Sequence, residues 1–108
     1  MPQNTAEFRI IGRVGKITAR ERVTYVSVAA NYNRRDGDDW KTDTLWNSVV
    51  CFSNVAQQVE AAAQGDLVHI TGRVRESSHG EANSVLYRTE LIADTFSTLS
   101  KAEAEESR

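Results

Sequence analysis

The chain has 108 residues, 40% of them hydrophobic and 26% charged, and its formal net charge is −2. These values are typical of one globular domain, and they argue against a polycation that coats nucleic acid through charge alone. Because Cys51 is the only cysteine, an intrachain disulfide and a multi-cysteine zinc site are excluded. No signal-peptide or membrane-length apolar run is found, so we expect a soluble, cytoplasmic protein.

Three strands are predicted in the first half of the chain. The first begins near the N-terminus and is bent at Gly12 and Gly15, as a strongly coiled barrel strand requires. Residues 23–32 are rich in β-branched and aromatic side chains and form the second strand. A polar loop with an Asp-Gly turn signal over residues 33–40 leads to a third strand over residues 40–52.

A single helix is predicted after the third strand. Residues 55–64 are mostly good helix formers, Ser53 or Asn54 can cap the helix, and Gly65 can end it. The valines of this segment form a narrow apolar stripe that can cover one end of a barrel.

Two more strands follow the helix, at residues 67–75 and 85–96, joined by a loop over residues 76–84. The order β-β-β-α-β-β predicts an all-β fold with one helix, a five-stranded Greek-key barrel of the OB type. The predicted divisions are a flexible lead-in, the OB domain and a polar tail, over residues 1–5, 6–96 and 97–108.

The third strand carries the most informative pattern. Trp46 and Phe52 alternate onto one face and lie about 20 Å apart at roughly 3.3 Å per residue. Trp40 shares that face. Two core aromatics would be the plainer interpretation, whereas rings spaced along an exposed face are typical of a platform on which bases of a flexible strand stack.

In an ordered series of segments, the chain resembles the bacterial single-stranded DNA-binding protein family, SSB. The matching segments are residues 11–16, 32–37 and 46–52, the predicted helix, and residues 65–75 and 87–91. The resemblance spans residues 6–96. It implies binding of single-stranded DNA without sequence preference and protection of that DNA during replication, recombination or repair.

The resemblance also implies which rings stack on bases. They are Trp46, Phe52, Tyr32, where many members carry a tryptophan, and, more loosely, Trp40. The family's aromatic residue between the last two strands is replaced by Ser78 or His79, so that stacking position is weakened or moved. Tyr87 is left open between core and groove, and Tyr25 is expected in the core.

Basic residues are predicted to form a discontinuous track for phosphates. They are Arg13, Lys16, Arg34, Arg35, Lys41, Arg73, Arg75 and Arg88. For each of them, a solvated strand position is the competing interpretation. Arg34 and Arg35 at a loop tip, and Arg73 and Arg75 on one strand face, are the stronger candidates.

Assembly is where the chain departs from the family. Members usually have a histidine near the subunit contact, and this chain has Asn47. The resemblance implies a homotetramer, with a dimer left open, paired through the edge of the first strand. The long acidic C-terminal tail of the family does not occur in this sequence, so we do not expect recruitment of partner proteins by that route.

Catalysis is not expected. The positions of Cys51, His69 and His79 match no catalytic triad pattern, and no glycine-rich phosphate-binding motif occurs. The sequence indicates no cofactor, metal or small-molecule substrate. A second hypothesis is an OB module that docks on a replication or recombination complex and binds nucleic acid weakly. A third, an OB protein that prefers RNA, differs only in recognition of the 2′-hydroxyl.

Overall fold

The computed structural model describes residues 4–81 and 84–102. Its strands close into a barrel in the order β1-β2-β3-β5-β4, with antiparallel pairs except for β3 and β5. The elements are β1 (Glu7–Ala19), β2 (Thr24–Asp36), β3 (Asp39–Cys51), α1 (Ala56–Glu60), β4 (Leu67–Glu81) and β5 (Ser84–Ser100). The predicted five-stranded OB barrel is confirmed.

The core is built from alternate residues of each strand. Val26, Val28 and Val49 are fully buried and point into the barrel. Phe96 is 3% exposed, and Phe8 packs against the same cluster. Val55 and Val59 of the helical segment also join this cluster, so the predicted apolar stripe covers the barrel as expected.

The helix is shorter than predicted. A 3₁₀ turn over Ser53–Val55 precedes α1, and neither element has a side-chain cap, so the prediction that Ser53 or Asn54 caps the helix is wrong. The chain leaves the helix after Glu60, and the Ala63 N–H donates a hydrogen bond to the Asp66 carboxylate at 2.9 Å. Gly65, at φ 93°, belongs to the turn before β4 and does not end the helix. In the described part of the chain, no helix is long and apolar enough to cross a membrane.

Asp66 ties the end of β5 to the rest of the barrel. Its side chain is 1% exposed and accepts hydrogen bonds from the backbone N–H groups of Ala102 and Ala63, with the Lys101 ammonium 3.3 Å away. The Ala102 hydrogen bond is the main reason that the pKa of Asp66 is lowered. A lowered pKa stabilises the fold at neutral pH, and this contribution is lost as the pH falls below the ordinary aspartate value of about 3.9.

Two hairpins extend beyond the barrel. The β2–β3 ladder continues to Asp36 opposite Asp39, and the β4–β5 ladder continues to Glu81 opposite Ser84. The loops predicted over residues 33–40 and 76–84 are therefore strand for most of their length. We call residues 31–44 the β2–β3 arm and residues 75–90 the β4–β5 arm.

Cross-strand polar contacts explain why the β2–β3 arm is strand rather than loop. Thr42 donates to the Asn33 side chain at 2.9 Å, and Thr44 donates to the Asn31 side chain at 2.7 Å. Gly37, at φ 66°, takes the first turn position, which type II′ hairpins reserve for glycine. The fifth strand also runs four residues beyond its predicted end at residue 96, to Ser100.

Candidate nucleic-acid interface

Strands β2 and β3 present two distinct faces. Residues directly opposite each other in an antiparallel ladder point to the same side, and sides alternate along each strand. The inner face is the side that becomes the barrel core, and its arm positions are Tyr32, Arg34, Asp36, Asp39, Lys41 and Asp43. The outer face is the opposite side and contains Tyr25, Ala29, Arg35, Trp40, Trp46 and Val50.

Trp46 is 61% exposed on the outer face, opposite Ala29. Its ring lies against Gly15 of β1, where an added Cβ would stand 2.3 Å from Cζ3 of the indole. Gly15 lies at the irregularity in the β1–β2 register between Val14 and Lys16. The absence of a side chain at Gly15 therefore lets the indole lie on the barrel wall while much of it remains accessible.

Trp40 occupies the outer face of the arm and is 66% exposed. The guanidinium of Arg35, directly opposite, lies 5.4 Å from the centre of the Trp40 ring. The prediction that Trp40 and Trp46 share a face agrees with the register. Arg34 and Arg35, however, are not a pair at a loop tip: they are strand residues on opposite faces, and the turn is formed by Gly37 and Asp38.

Tyr25 is not in the core, so the prediction from the sequence is wrong for this residue. Its side chain is 39% exposed, and it lies opposite Val50 on the outer face. Phe52, two residues after Val50 and 37% exposed, follows on the same side by strand parity. The buried Val26 and Val28 contain the signal that could have placed Tyr25 correctly, because odd-numbered residues of β2 must then point away from the core.

Tyr32 does not join these rings. It is 57% exposed on the inner face of the arm. Together with Arg9, Ile11 and Asn47 it lines a cleft of about 310 Å³ between β1 and the base of the arm.

The outer face continues across the barrel through β5. Val50 lies opposite Ile92, which lies opposite Arg73 on β4. Arg75 and Arg88 follow on the same side of the β4–β5 arm, so the prediction that Arg73 and Arg75 share a face is confirmed by the register. At the other end of the sheet, Arg13 lies opposite Ala29 and Lys16 opposite Ser27, both outer-face positions.

Tyr87 lies on the inner side of the β4–β5 arm. It is 68% exposed and lies directly opposite Ser78. Ser78 is one of the two residues that, by the family resemblance, replace an aromatic residue in this chain. An exposed ring is therefore present on the neighbouring strand, beside the substituted position.

The described residues give little support for a metal site or for a reactive cysteine. No group of three or more His, Cys, Asp or Glu side chains there is arranged to hold a metal ion. Cys51 is a free, buried thiol, and burial raises its pKa to about 11, so very little reactive thiolate forms at neutral pH.

Comparison with known proteins gives a family and a set of similar folds. The model of the single-strand binding protein family matches residues 6–99. No curated protein is similar enough in sequence to count as a relative.

Solved structures with the same fold include three single-stranded DNA-binding proteins. An SSB of Plasmodium falciparum in complex with ssDNA has a TM-score of 0.71 at 22% identity, over 93% of this chain and 99% of that one. A mitochondrial single-stranded DNA-binding protein of S. cerevisiae has a TM-score of 0.66 at 17% identity, over 94% and 100%. A small single-stranded DNA-binding protein of Streptomyces coelicolor has a TM-score of 0.64 at 14% identity, over 89% and 95%.

Proposed function

Because the chain belongs to the single-strand binding protein family, we propose that it binds single-stranded DNA without sequence preference along its outer face. The observation that carries this proposal is Trp46, a large ring left 61% exposed on the outer wall of the barrel, where core packing does not account for it. Binding would protect transient single strands during replication, recombination or repair. The proposal includes no catalytic step.

Stacking supplies the sequence-independent part of the binding. Trp40, Trp46 and Phe52 follow one another at six-residue intervals, about 20 Å each at roughly 3.3 Å per residue. Tyr25 lies opposite Val50 and so falls between Trp46 and Phe52. Each base stacked on such a ring contributes about 1–3 kcal/mol, and every base has a π-face, so the track is tolerant of sequence.

Cations on the same face supply the phosphate contacts. Arg13, Lys16 and Arg35 flank the tryptophans, and Arg73, Arg75 and Arg88 extend the track across the β4–β5 arm. Each phosphate contact releases counterions, which gives a log–log salt slope of about −0.7 per contact on single strands. Tyr32, Arg34 and Tyr87, on the inner faces of the arms, are proposed to contact the strand where it passes around an arm.

Assembly with further copies is proposed through β1. The register pairs β1 with β2 only from Arg13 onward, so residues 7–12 have β4 on one side and the open cleft on the other. Asn47 lines this cleft, where the family resemblance places a subunit contact. An open strand edge invites pairing with a second copy, and we propose a homotetramer built from such dimers.

Light scattering tests the assembly. The wild type is expected well above the 12.0 kDa of one chain, and Ile11→Asp, which puts a charge into the cleft at a half-exposed position, should lower that mass. A monomeric wild type would overturn the proposed oligomer. The cytoplasm is the proposed compartment, a proposal that the free, buried Cys51 supports.

The DNA-binding proposal is tested by titrating oligo-dT against intrinsic tryptophan fluorescence at two NaCl concentrations. The wild type should bind tightly, with strong quenching that weakens as salt rises. Trp46→Ala together with Phe52→Ala should weaken binding by about 2–6 kcal/mol in total, with Trp40 remaining as reporter and circular dichroism confirming the fold. No binding and no quenching at low salt would contradict DNA binding and favour the assembly-module hypothesis.

A further inference from the structure

Half of the predicted phosphate-binding residues already have a carboxylate partner within the protein. Four ion pairs connect basic and acidic side chains on the arms and at their base. They are Arg34–Asp43 at 2.6 Å, Lys41–Asp36 at 3.1 Å, Arg73–Asp94 at 3.2 Å and Arg75–Glu90 at 3.1 Å. Among the described residues, no carboxylate lies within ion-pair distance of Arg13, Lys16, Arg35 or Arg88.

The geometry of the Arg34–Asp43 pair is set by the ladder. Asp43 lies opposite Tyr32, so it is the diagonal neighbour of Arg34 on the inner face. Both side chains are about half exposed, at 52% and 45%. Exposed pairs of this kind contribute little to stability, so folding alone gives little reason for a carboxylate at this position.

The carboxylate has a larger effect on a phosphate that approaches the arginine. A phosphate that contacts Arg34 also meets the negative charge of Asp43 a few ångströms away. The Arg34–Asp43 pair has no net positive charge, so a phosphate that binds there releases fewer counterions than one that binds at Arg35. The same reasoning applies to Arg75, whose partner Glu90 is only 19% exposed and is held in place by its surroundings.

We infer that Asp43 and Glu90 act as intramolecular competitors of DNA phosphate and limit the affinity of the two arms for single-stranded DNA. This inference rests on the DNA-binding function proposed above. It divides the basic track into cations without a carboxylate partner, most of them beside Trp40 and Trp46, which bind phosphate first, and paired cations, which bind only when the phosphate displaces a carboxylate.

Neutralising one competitor is the direct test. Asp43→Asn should tighten oligo-dT binding at low salt about threefold, the effect of removing one like charge about 6 Å from a phosphate in water. The log–log salt slope should steepen by up to about 0.7, since Arg34 then makes a full phosphate contact. Asp38→Asn is the matched control. It makes the same change of charge at the tip of the same arm, where the carboxylate forms no ion pair with another described residue.

The second arm provides an independent pair of variants. Glu90→Gln should have the same two effects through Arg75. Glu76→Gln is its matched control, since Glu76 lies opposite Thr89 on the other side of that arm. The double variant Arg34→Ala with Asp43→Asn should lose the gain of Asp43→Asn, because the gain depends on the released guanidinium.

The outcomes separate the two proposals. A wild type that does not bind oligo-dT overturns DNA binding and, with it, this inference. A wild type that binds, together with Asp43→Asn and Glu90→Gln variants that keep the wild-type affinity and slope, overturns the inference alone. Equal gains in Asp38→Asn and Asp43→Asn would also overturn it, because the effect would then belong to net charge. Thermal melts of each variant verify that the fold is retained.

Discussion

The two faces of the β2–β3 arm are formed by the same strands but differ in charge and in ring content. On the outer face, Arg35 stacks on Trp40 and has no carboxylate partner in the described residues. On the inner face, Arg34 and Lys41 are paired with Asp43 and Asp36. A net charge of −2 for the whole chain therefore includes one face with free positive charge and one face on which both cations are paired with carboxylates.

This difference shows how an acidic protein can bind a polyanion. Alternation along a strand separates neighbouring residues onto opposite sides, so Arg34 and Arg35, adjacent in sequence, have different electrostatic surroundings. Local pairing, rather than total charge, decides which cations are free for phosphate. The two faces can be compared by experiment because each contains an exposed ring and an arginine.

Removing the exposed ring from each face should have the largest effect. Trp46→Ala is expected to weaken oligo-dT binding by about 1–3 kcal/mol. Tyr32→Ala is expected to cost less, because part of its ring faces the cleft beside β1. Dissociation constants from fluorescence anisotropy of a labelled oligo-dT, measured under identical salt, give the comparison. Equal losses would show that single-stranded DNA contacts both faces of the β2–β3 ladder.

Gly15→Ala should have an intermediate effect through the outer face alone. The added Cβ would stand 2.3 Å from the Trp46 ring, so the indole must move away from the barrel wall. We expect the free energy of oligo-dT binding to weaken by about 1 kcal/mol, at the low end of the range for a stacked base. The tryptophan emission of the free protein should also shift.

A double-mutant cycle establishes whether Gly15 acts by positioning Trp46. In the Trp46→Ala background, Gly15→Ala should add almost nothing to the loss, because the ring that it displaces is already absent. Additive losses would show that Gly15 affects binding by another route, such as the bulge that places Lys16 on the outer face.

The barrel was predictable from sequence because its strands bury one side. The apolar alternation through Val26 and Val28, and again through Val49 and Cys51, gives both the strands and the inward direction. The described residues of the arms have no buried side and therefore no such pattern. Residues 33–40, interpreted as a loop, lie in strands that cross-strand polar contacts hold together.

The site was predictable in its residue types but not in its arrangement. The spacing of Trp40, Trp46 and Phe52 could be assigned to one face from parity alone. The Arg34–Asp43 pair could not, because it joins residues nine apart and depends on the register fixed by the turn at Gly37. The placement of Tyr25 could have been derived from the neighbouring valines: parity puts Tyr25 and Tyr32 on opposite faces, and the buried Val26 and Val28 show that Tyr25 is on the outer one.

Replacing each of the two adjacent arginines by alanine should have the smallest effect on affinity but should clearly separate the two faces by their salt dependence. Arg35→Ala removes a cation over an exposed ring, a contact worth about 0.5–1 kcal/mol, and a free phosphate contact, so its log–log salt slope should become shallower by about 0.7. Arg34→Ala should leave the slope nearly unchanged, because Asp43 already balances that charge. Salt titrations of both variants with one oligo-dT measure the difference. Equal changes in slope would mean that DNA displaces Asp43 freely, and the two faces would then be electrostatically equivalent when the strand is bound.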